Sequence, residues 1–300
     1  MIIKMLGSAA GGGFPQANCN CRNCADVRRH VPGLQPRTQS SLAVSADGRC
    51  WTLLNASPDL RQQIAVTSQL WPQVGGGLRS SPITAVVLTN GDVDHVGGLL
   101  SLREGFAFTL HASARVHAAL AANSIFNVLD ARAVERAVLP VGRPVELGGG
   151  LLMEAFAVGG KVALYLEGKS DTDDGDTLGV KLSQLGSGAS AFYIPACATV
   201  DVCLAARLRG ATLLLFDGTL YTDDEMVLQG LSGKTGRRMG HLSIAGPQGS
   251  MAALAGIGAK RKVFVHINNS NPVLREDSPE RRAVERAGWE VAHDGMEIEL

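Results

Sequence analysis

The chain of 300 residues carries 28 basic and 28 acidic side chains, so its formal net charge at neutral pH is zero. This balance excludes a protein that binds nucleic acid through a surplus of Lys and Arg. No apolar run approaches the roughly 18 residues of a membrane span, and the first residues lack the basic leader of a secretion signal. We therefore expect a cytoplasmic protein with no membrane and no nucleic-acid partner.

Short apolar runs that end at Gly, Pro, Asn or Asp recur along the chain and predict strands. A Gly-rich loop at 7–15 follows the first run; phosphate binding is one interpretation, but no Gly-Lys-Ser/Thr follows, so a turn is favoured. Helices are predicted at 113–122 and 247–256, and the acidic segment 169–176 predicts a surface loop. The predicted strands are 2–6, 37–44, 50–55, 83–88, 106–111, 191–197, 211–217 and 262–267.

A cluster of cysteines near the start of the chain predicts a metal site. Cys19, Cys21 and Cys24 are close enough in sequence to converge on a tetrahedral Zn²⁺, with the fourth ligand supplied by another segment. The alternative, three surface thiols, is disfavoured because clustered exposed thiols are readily oxidised. We therefore expect a structural zinc ion rather than disulfide bonds.

The stretch 81–100 is where we expect the chemistry. A buried strand at 83–88 ends in a tight loop that carries Asn90, Asp92, Asp94 and His95. Side chains at the end of a rigid strand can be aimed at one point in space.

Three later residues are further candidates for the same site. Asp217 ends a Leu-rich strand, His241 follows a Gly before a helical run, and His266 lies near the end of an apolar strand. Asp217 and His266 each have a structural alternative, since Asp217 could cap the next helix and a lone His in an apolar strand is usually a core residue. We interpret His111 and His117, which lie in apolar surroundings, as structural.

The loop at 90–95 resembles the His-x-His-x-Asp-His signature of the metallo-β-lactamase superfamily, with Asn90 and Asp92 in place of the first two histidines. The resemblance implies an α/β fold, a four-layer αβ/βα sandwich. We expect a single domain over residues 1–300, with the cysteine segment as an N-terminal zinc-binding insertion.

The same resemblance implies one metal rather than two, because the first two histidines are missing. His241 matches a Gly-His element that relatives use as an acid or a base. Two imidazoles and one carboxylate are the donor set of non-haem Fe²⁺ oxygen chemistry, although Zn²⁺ accepts the same ligands. The implied ligands are Asp94, His95 and His266, with Asp217 and Asp92 as further candidates.

A set of short motifs resembles the coenzyme pyrroloquinoline quinone (PQQ) synthesis protein B family from residue 2 to residue 300. The resemblance implies a role in making PQQ from a peptide whose Glu and Tyr are crosslinked. It also implies an iron-dependent hydroxylase that uses O₂ on the tyrosine-derived ring of this diamino acid. The motifs are 6–13, 37–41, 55–59, 102–105, 216–219, 235–237, 239–241, 266–269 and 294–296.

Two alternatives to the hydroxylase stay open at this point. A carrier of PQQ or its precursor needs only a pocket, but transport fits poorly with a chain that lacks a membrane segment. A hydrolase, as in most of the superfamily, is disfavoured by the missing histidines. A homodimer is also left open.

Some binding roles follow from the resemblance as well. Arg237 or Arg61 would hold the carboxylates of the precursor, for which a guanidinium is suited, although Arg61 could equally belong to an ordinary helix start. Asn269 is the candidate fourth ligand of the cysteine site, because a phosphodiesterase relative with the same insertion has a histidine there.

Overall fold

Fourteen strands are found in the computed structural model, which describes residues 1–168 and 171–300. Most form from short apolar runs rich in β-branched residues. They are β1 (Ile2–Gly7), β2 (Ser41–Ser45), β3 (Trp51–Leu54), β4 (Ile83–Val87), β5 (Phe108–Ala112), β6 (Val134–Val138), β7 (Pro144–Leu147), β8 (Leu151–Ala157), β9 (Leu178–Gln184), β10 (Ser190–Ile194), β11 (Leu213–Asp217), β12 (Arg261–Val265), β13 (Glu290–Val291) and β14 (Glu297–Glu299).

Eight short α-helices lie between the strands of the described ranges. Ser113 and Ser278 each begin one of them by accepting a backbone N–H of the first turn with the side-chain oxygen. The helices are α1 (Arg22–Arg28), α2 (Leu60–Val66), α3 (Val93–Val96), α4 (Ala114–Ala121), α5 (Val202–Arg207), α6 (Glu225–Leu228), α7 (Ser250–Ala253) and α8 (Pro279–Arg286), with 3₁₀ turns at Ser68–Leu70, Gly97–Leu102, Ser124–Val128, Gly148–Gly150, Leu164–Leu166, Arg237–Met239 and Pro272–Leu274.

The strands form two mixed sheets. The first has the order β14-β1-β2-β3-β4-β5-β6, antiparallel from β14 to β3 and parallel from β3 to β6. The second has the order β13-β12-β11-β10-β9-β8-β7, parallel from β13 to β10 and antiparallel from β10 to β7. Neighbouring parallel strands end at the same edge of their sheet, so each sheet presents a row of strand ends.

Three buried apolar clusters separate four layers. The central cluster, which includes Met5 and Leu215, lies between the two sheets. The second, with Trp51, packs the first sheet against α2 and α4. The third, with Phe264 and Trp289, packs the second sheet against α1, α5 and α8. The predicted four-layer αβ/βα sandwich is therefore confirmed.

Most predicted strands are present with their ends shifted by a few residues, and one strand and one helix differ more. The strand predicted at 37–44 begins only at Ser41, because Arg37 pairs with Phe14 instead. The helix predicted at 247–256 shrinks to α7. Of the predicted loop 169–176, residues 169 and 170 lie outside the described residues. Among the helices that the structure describes, none is long and apolar enough to cross a membrane.

Replacing Trp289 by Ala should lower the free energy of unfolding by about 3–5 kcal/mol. The indole is 2% exposed and stacks on Phe264 with ring centroids 4.1 Å apart. Urea unfolding followed by circular dichroism measures the loss. The control Leu228→Ala removes a side chain that is 76% exposed and should change stability by less than about 0.5 kcal/mol. Equal losses in both variants would contradict this account of the third cluster.

Candidate metal centre and its cavity

The candidate site lies where strand ends of the two sheets meet. Thr89 to His95 follow β4 of the first sheet, Asp217 is the last residue of β11, and His266 comes directly after β12 of the second. Backbone bonds join the sheets at this edge, since Leu178 N donates to Thr89 O at 2.8 Å. The sequence pattern marked these residues as candidates for one site, and the structure places them close together.

His266 adopts a left-handed backbone conformation, with φ of 58°, which is unusual for a residue other than Gly. The surrounding backbone holds it there. Ile267 N donates to Ser8 O and Ala10 N donates to Ile267 O, both at 2.9 Å. Strained residues persist where their neighbours over-determine them, and they concentrate at functional sites.

Backbone hydrogen bonds to Ala56 hold the loop that carries Asp94 and His95 in place. Ala56 N donates to His95 O at 2.7 Å, and Gly98 N donates to Ala56 O at 2.8 Å. A Cβ atom at Gly98 would lie 2.1 Å from Ser57 O, so this close approach requires glycine. Glycine at position 98 therefore allows the loop to pack closely against the neighbouring turn.

Three ligand atoms converge beside each other. Asp94 Oδ2 lies 3.0 Å from His266 Nε2 and 3.8 Å from His95 Nε2, and the three atoms all lie within 4.8 Å of one another. His95 Nε2 is buried and has no hydrogen-bond partner among the described residues. A buried nitrogen without a partner is costly, and a metal ion at this point would satisfy it. The donor set and its geometry therefore fit a divalent metal.

Two threonines fix which nitrogen each histidine turns toward this point. Thr219 Oγ1 lies 2.8 Å from His266 Nδ1, and Thr89 Oγ1 lies 3.4 Å from His95 Nδ1. When Nδ1 donates its hydrogen to a hydroxyl, Nε2 keeps its lone pair for a metal. Thr219 belongs to a motif that the sequence singled out only for its resemblance.

The structure shows a hydrogen-bonding role for Asp217, which the sequence offered as a further candidate ligand. Its fully buried carboxylate accepts four hydrogen bonds, from Cys197 N, Thr219 N, Thr219 Oγ1 and His241 Nδ1, at 2.7 to 3.0 Å. Asp217, His241 and His266 also have ligand atoms within 4.8 Å of one another. The hydrogen bonds account for these contacts and orient His241. Metal binding by Asp217 stays a prediction.

His241 lies parallel to His266, with ring centroids 5.3 Å apart and an interplanar angle of 20°. Because Asp217 accepts from its Nδ1 at 2.8 Å, Nε2 is its free basic nitrogen. Burial opposes the protonated form of His241, but the carboxylates of Asp217, Asp94 and Asp92 together raise its pKa. This geometry suits a group that accepts and returns a proton.

Burial and neighbouring charges shift the pKa values of the candidate ligands in opposite directions. Burial lowers the pKa of His95 to about 4, although the Asp94 carboxylate opposes this shift. Burial alone would raise the pKa of Asp94, but His95 and His266 hold it below its usual range. Metal ligands must be deprotonated, so both shifts favour the ligating forms.

A cavity of about 490 Å³ opens onto these residues. Lys161, Glu167 and Lys234 line it together with the three ligands and His241. The predicted ligand Asp92 also lines it, but its Oδ1 accepts from Leu164 N at 2.8 Å and its Oδ2 lies 3.8 Å from Lys161 Nζ. The structure therefore places Asp92 beside a lysine and outside the group of three ligand atoms.

Neither predicted arginine lines this cavity as far as the chain is described. Arg61 borders a separate cavity with Leu78 and Phe106, on the helix side of the first sheet. Arg237 is exposed and donates to Gln248 Oε1 at 2.6 Å. Sequence reasoning missed Lys161 and Lys234 instead, because lysines in loops give no signal of a site. Their positions follow only from the fold.

The cysteine cluster forms as predicted in space. The sulfur atoms of Cys19, Cys21 and Cys24 lie within 4.8 Å of one another. The side-chain amide nitrogen of Asn269 donates to all three sulfur atoms, at 3.1 to 3.6 Å. The three thiols and Asn269 therefore meet at one point, with the amide nitrogen facing the sulfurs. Zinc binding there stays a prediction.

The fold and the metal centre define a member of the metallo-β-lactamase superfamily. Residues 50–267 match the model of the beta-lactamase superfamily domain. A diphosphatase from the PhnP family superposes with a TM-score of 0.68 at 21% identity, covering 100% of this chain and 96% of that chain. At that identity the likeness concerns the fold alone.

The chain belongs to the coenzyme PQQ synthesis protein B family. The protein of that name from Xanthomonas oryzae pv. oryzae is 50% identical over 304 residues, with 100% of both chains covered. A crystal structure of Zn²⁺-bound PqqB from Methylobacterium extorquens is also 50% identical, with a TM-score of 0.95 and 100% of each chain covered. Similarity over the whole length means that the family comparison includes the site.

Replacing His266 by Ala should abolish metal binding at the centre, because it removes one of three ligands. His241→Ala is the matched control: it removes a neighbouring buried imidazole and should leave the metal bound. Metal analysis after reconstitution with Zn²⁺ measures both, with about one equivalent fewer in the first variant only. Full metal content in His266→Ala would contradict the ligand assignment.

Replacing Cys19, Cys21 and Cys24 together by Ser should remove a separate zinc ion and lower the melting temperature, because metal binding to the fold contributes to its stability. The metal of the histidine centre should remain. Cys203→Ser, which changes an exposed thiol, is the control. Unchanged zinc content in the triple variant would disprove the site.

Proposed function

We propose that this chain acts in PQQ biosynthesis as a metal-dependent hydroxylase of the tyrosine-derived ring of the crosslinked Glu-Tyr precursor. The observation that carries the proposal is the group of Asp94, His95 and His266 beside an open cavity, with His95 Nε2 lacking a partner in the described chain. The names of the relatives support the biosynthetic role. The donor set supports iron, since two imidazoles and one carboxylate with open positions suit Fe²⁺ oxygen chemistry.

Bound Fe²⁺ would supply activation of O₂ for insertion of oxygen into an aromatic C–H bond. Each hydroxylation places one oxygen atom on the ring and reduces the other to water, which consumes two electrons and two protons. A reductant is therefore part of the reaction. Asp94, His95 and His266 would hold the metal and leave the side that faces the cavity open.

His241 supports the proposal through its position. Its ring is held by Asp217 and stacked beside His266, and it lines the same cavity. We assign to His241 Nε2 the transfer of a proton to or from the ring hydroxyl of the substrate. Asp217 stabilises the protonated imidazole, so it acts through His241.

The cavity also suits a small polar substrate. Its volume of about 490 Å³ lies within the range of small-molecule sites, roughly 300–1,000 Å³. Met226, Met239 and Leu164 supply apolar lining for a ring, while the lysines supply positive charge. A dinuclear hydrolase would need a second set of ligands, and Asn90 and Asp92 stand where that set would begin.

Oxygen consumption by the iron-loaded protein tests the proposal. With the crosslinked Glu-Tyr diamino acid and a reductant, the wild-type protein should consume O₂ and yield a product heavier by one oxygen atom per hydroxylation. His241→Ala should keep its metal and lose about 10²-fold or more in rate. His266→Ala should lose metal and turnover together.

Two results would replace the hydroxylase assignment. If the diamino acid binds but no O₂ is consumed, the chain is a carrier of the precursor. If the zinc-loaded protein hydrolyses an ester or phosphodiester while the iron-loaded protein consumes no O₂, it is a hydrolase.

The control for the His241 and His266 variants is Phe126→Leu. It changes a buried side chain of the apolar layer outside the first sheet, away from the lining of the cavity, and should retain turnover.

A further inference from the structure

We propose that Lys161 and Lys234 form a carboxylate-binding subsite of the catalytic cavity, and that Glu167 occupies this subsite until a substrate carboxylate displaces it. The inference rests on the proposed function, because it takes the crosslinked diamino acid as the ligand. Beyond that function, the inference names the two lysines as the groups that recognise the ligand and Glu167 as the internal carboxylate that competes with it.

One carboxylate joins the two ammonium groups at the cavity wall. Glu167 Oε2 lies 2.6 Å from Lys234 Nζ, and Glu167 Oε1 lies 3.5 Å from Lys161 Nζ. All three side chains line the cavity that contains the metal ligands. A carboxylate of the substrate would bind the same two nitrogen atoms in the same way. Glu167 and the substrate therefore compete for one position.

The subsite has a fixed position relative to the metal ligands. Leu164 N donates to Asp92 Oδ1 at 2.8 Å, and Tyr165 Oη donates to Gly91 O at 3.0 Å. These bonds attach the segment that carries Lys161 to the loop that carries Asp94 and His95. Asp92 thus serves as a positioning residue for the subsite. A ligand bound to the lysines therefore has its remaining atoms within the same cavity as the metal ligands.

Displacing Glu167 costs little. The side chains of Lys234 and Glu167 are 36% and 34% exposed, and ion pairs in contact with water contribute little to stability. Once displaced, the Glu167 carboxylate can return to water. A substrate whose ring is already held in the cavity presents its carboxylate at high effective concentration, which favours the exchange.

Calorimetric titration of the full-length, zinc-loaded protein without O₂ tests the subsite apart from turnover. The probes are the crosslinked Glu-Tyr diamino acid and glutarate, a dicarboxylate without a ring. Glu167→Gln should lower the Kd for both probes about threefold to tenfold, because Lys234 loses its carboxylate partner and Lys161 keeps only Asp92, at 3.8 Å. Lys161→Met and Lys234→Met should each raise it about tenfold. The control Glu297→Gln, which breaks a similar pair with Lys4 at 3.2 Å outside the cavity, should leave both values unchanged.

The outcomes separate this inference from the proposed function. A Kd in Glu167→Gln equal to or above the wild-type value overturns the displacement, and unchanged values in both Lys variants overturn the subsite, even if hydroxylation proceeds. If the predicted order of affinities holds while no O₂ is consumed in the separate assay, the subsite stands and the hydroxylase assignment fails. If glutarate alone follows this order, the subsite stands and the diamino acid is not the substrate.

Discussion

The hydroxyl of Thr219 is the contact on which the geometry of the centre depends. It donates to Asp217 Oδ1 at 2.7 Å and accepts from His266 Nδ1 at 2.8 Å, so one side chain connects a buried carboxylate to a metal ligand. A buried carboxylate is tolerated only when hydrogen bonds replace the water it has lost. Since Asp217 in turn holds His241, one hydroxyl connects to both His266 and His241.

Much of the fold and the convergence of the candidate ligands could be predicted because their signals are local. The strand at 83–88 and the polar loop after it are contiguous in sequence, and the structure gives β4 followed by that loop. The ligands Asp94 and His95 occupy positions in a recognisable motif. His266 could be matched only through the family resemblance, since a lone His in a strand has no pattern of its own.

The remaining roles depend on contacts between segments that are distant in sequence. Asp217 was a further candidate ligand, and only its four hydrogen-bond partners reveal that it positions His241. Arg61 and Arg237 have the right chemistry for carboxylates but lie outside the lining of the cavity beside the metal ligands. Lys161 and Lys234 lie far apart in the sequence, and no spacing rule connects them. The sequence shows which residues are charged, but only the fold shows which cavity each charged side chain lines.

The contact between Asp94 and His266 also crosses from one sheet to the other. Asp94 follows β4 and His266 follows β12, and their 3.0 Å separation spans the boundary between the sheets. Protein interiors are closely packed and transmit small displacements, and the apolar layer between the sheets lies beneath this contact. A substitution that thins or thickens that layer would therefore change the spacing of Asp94 and His266 without touching either side chain.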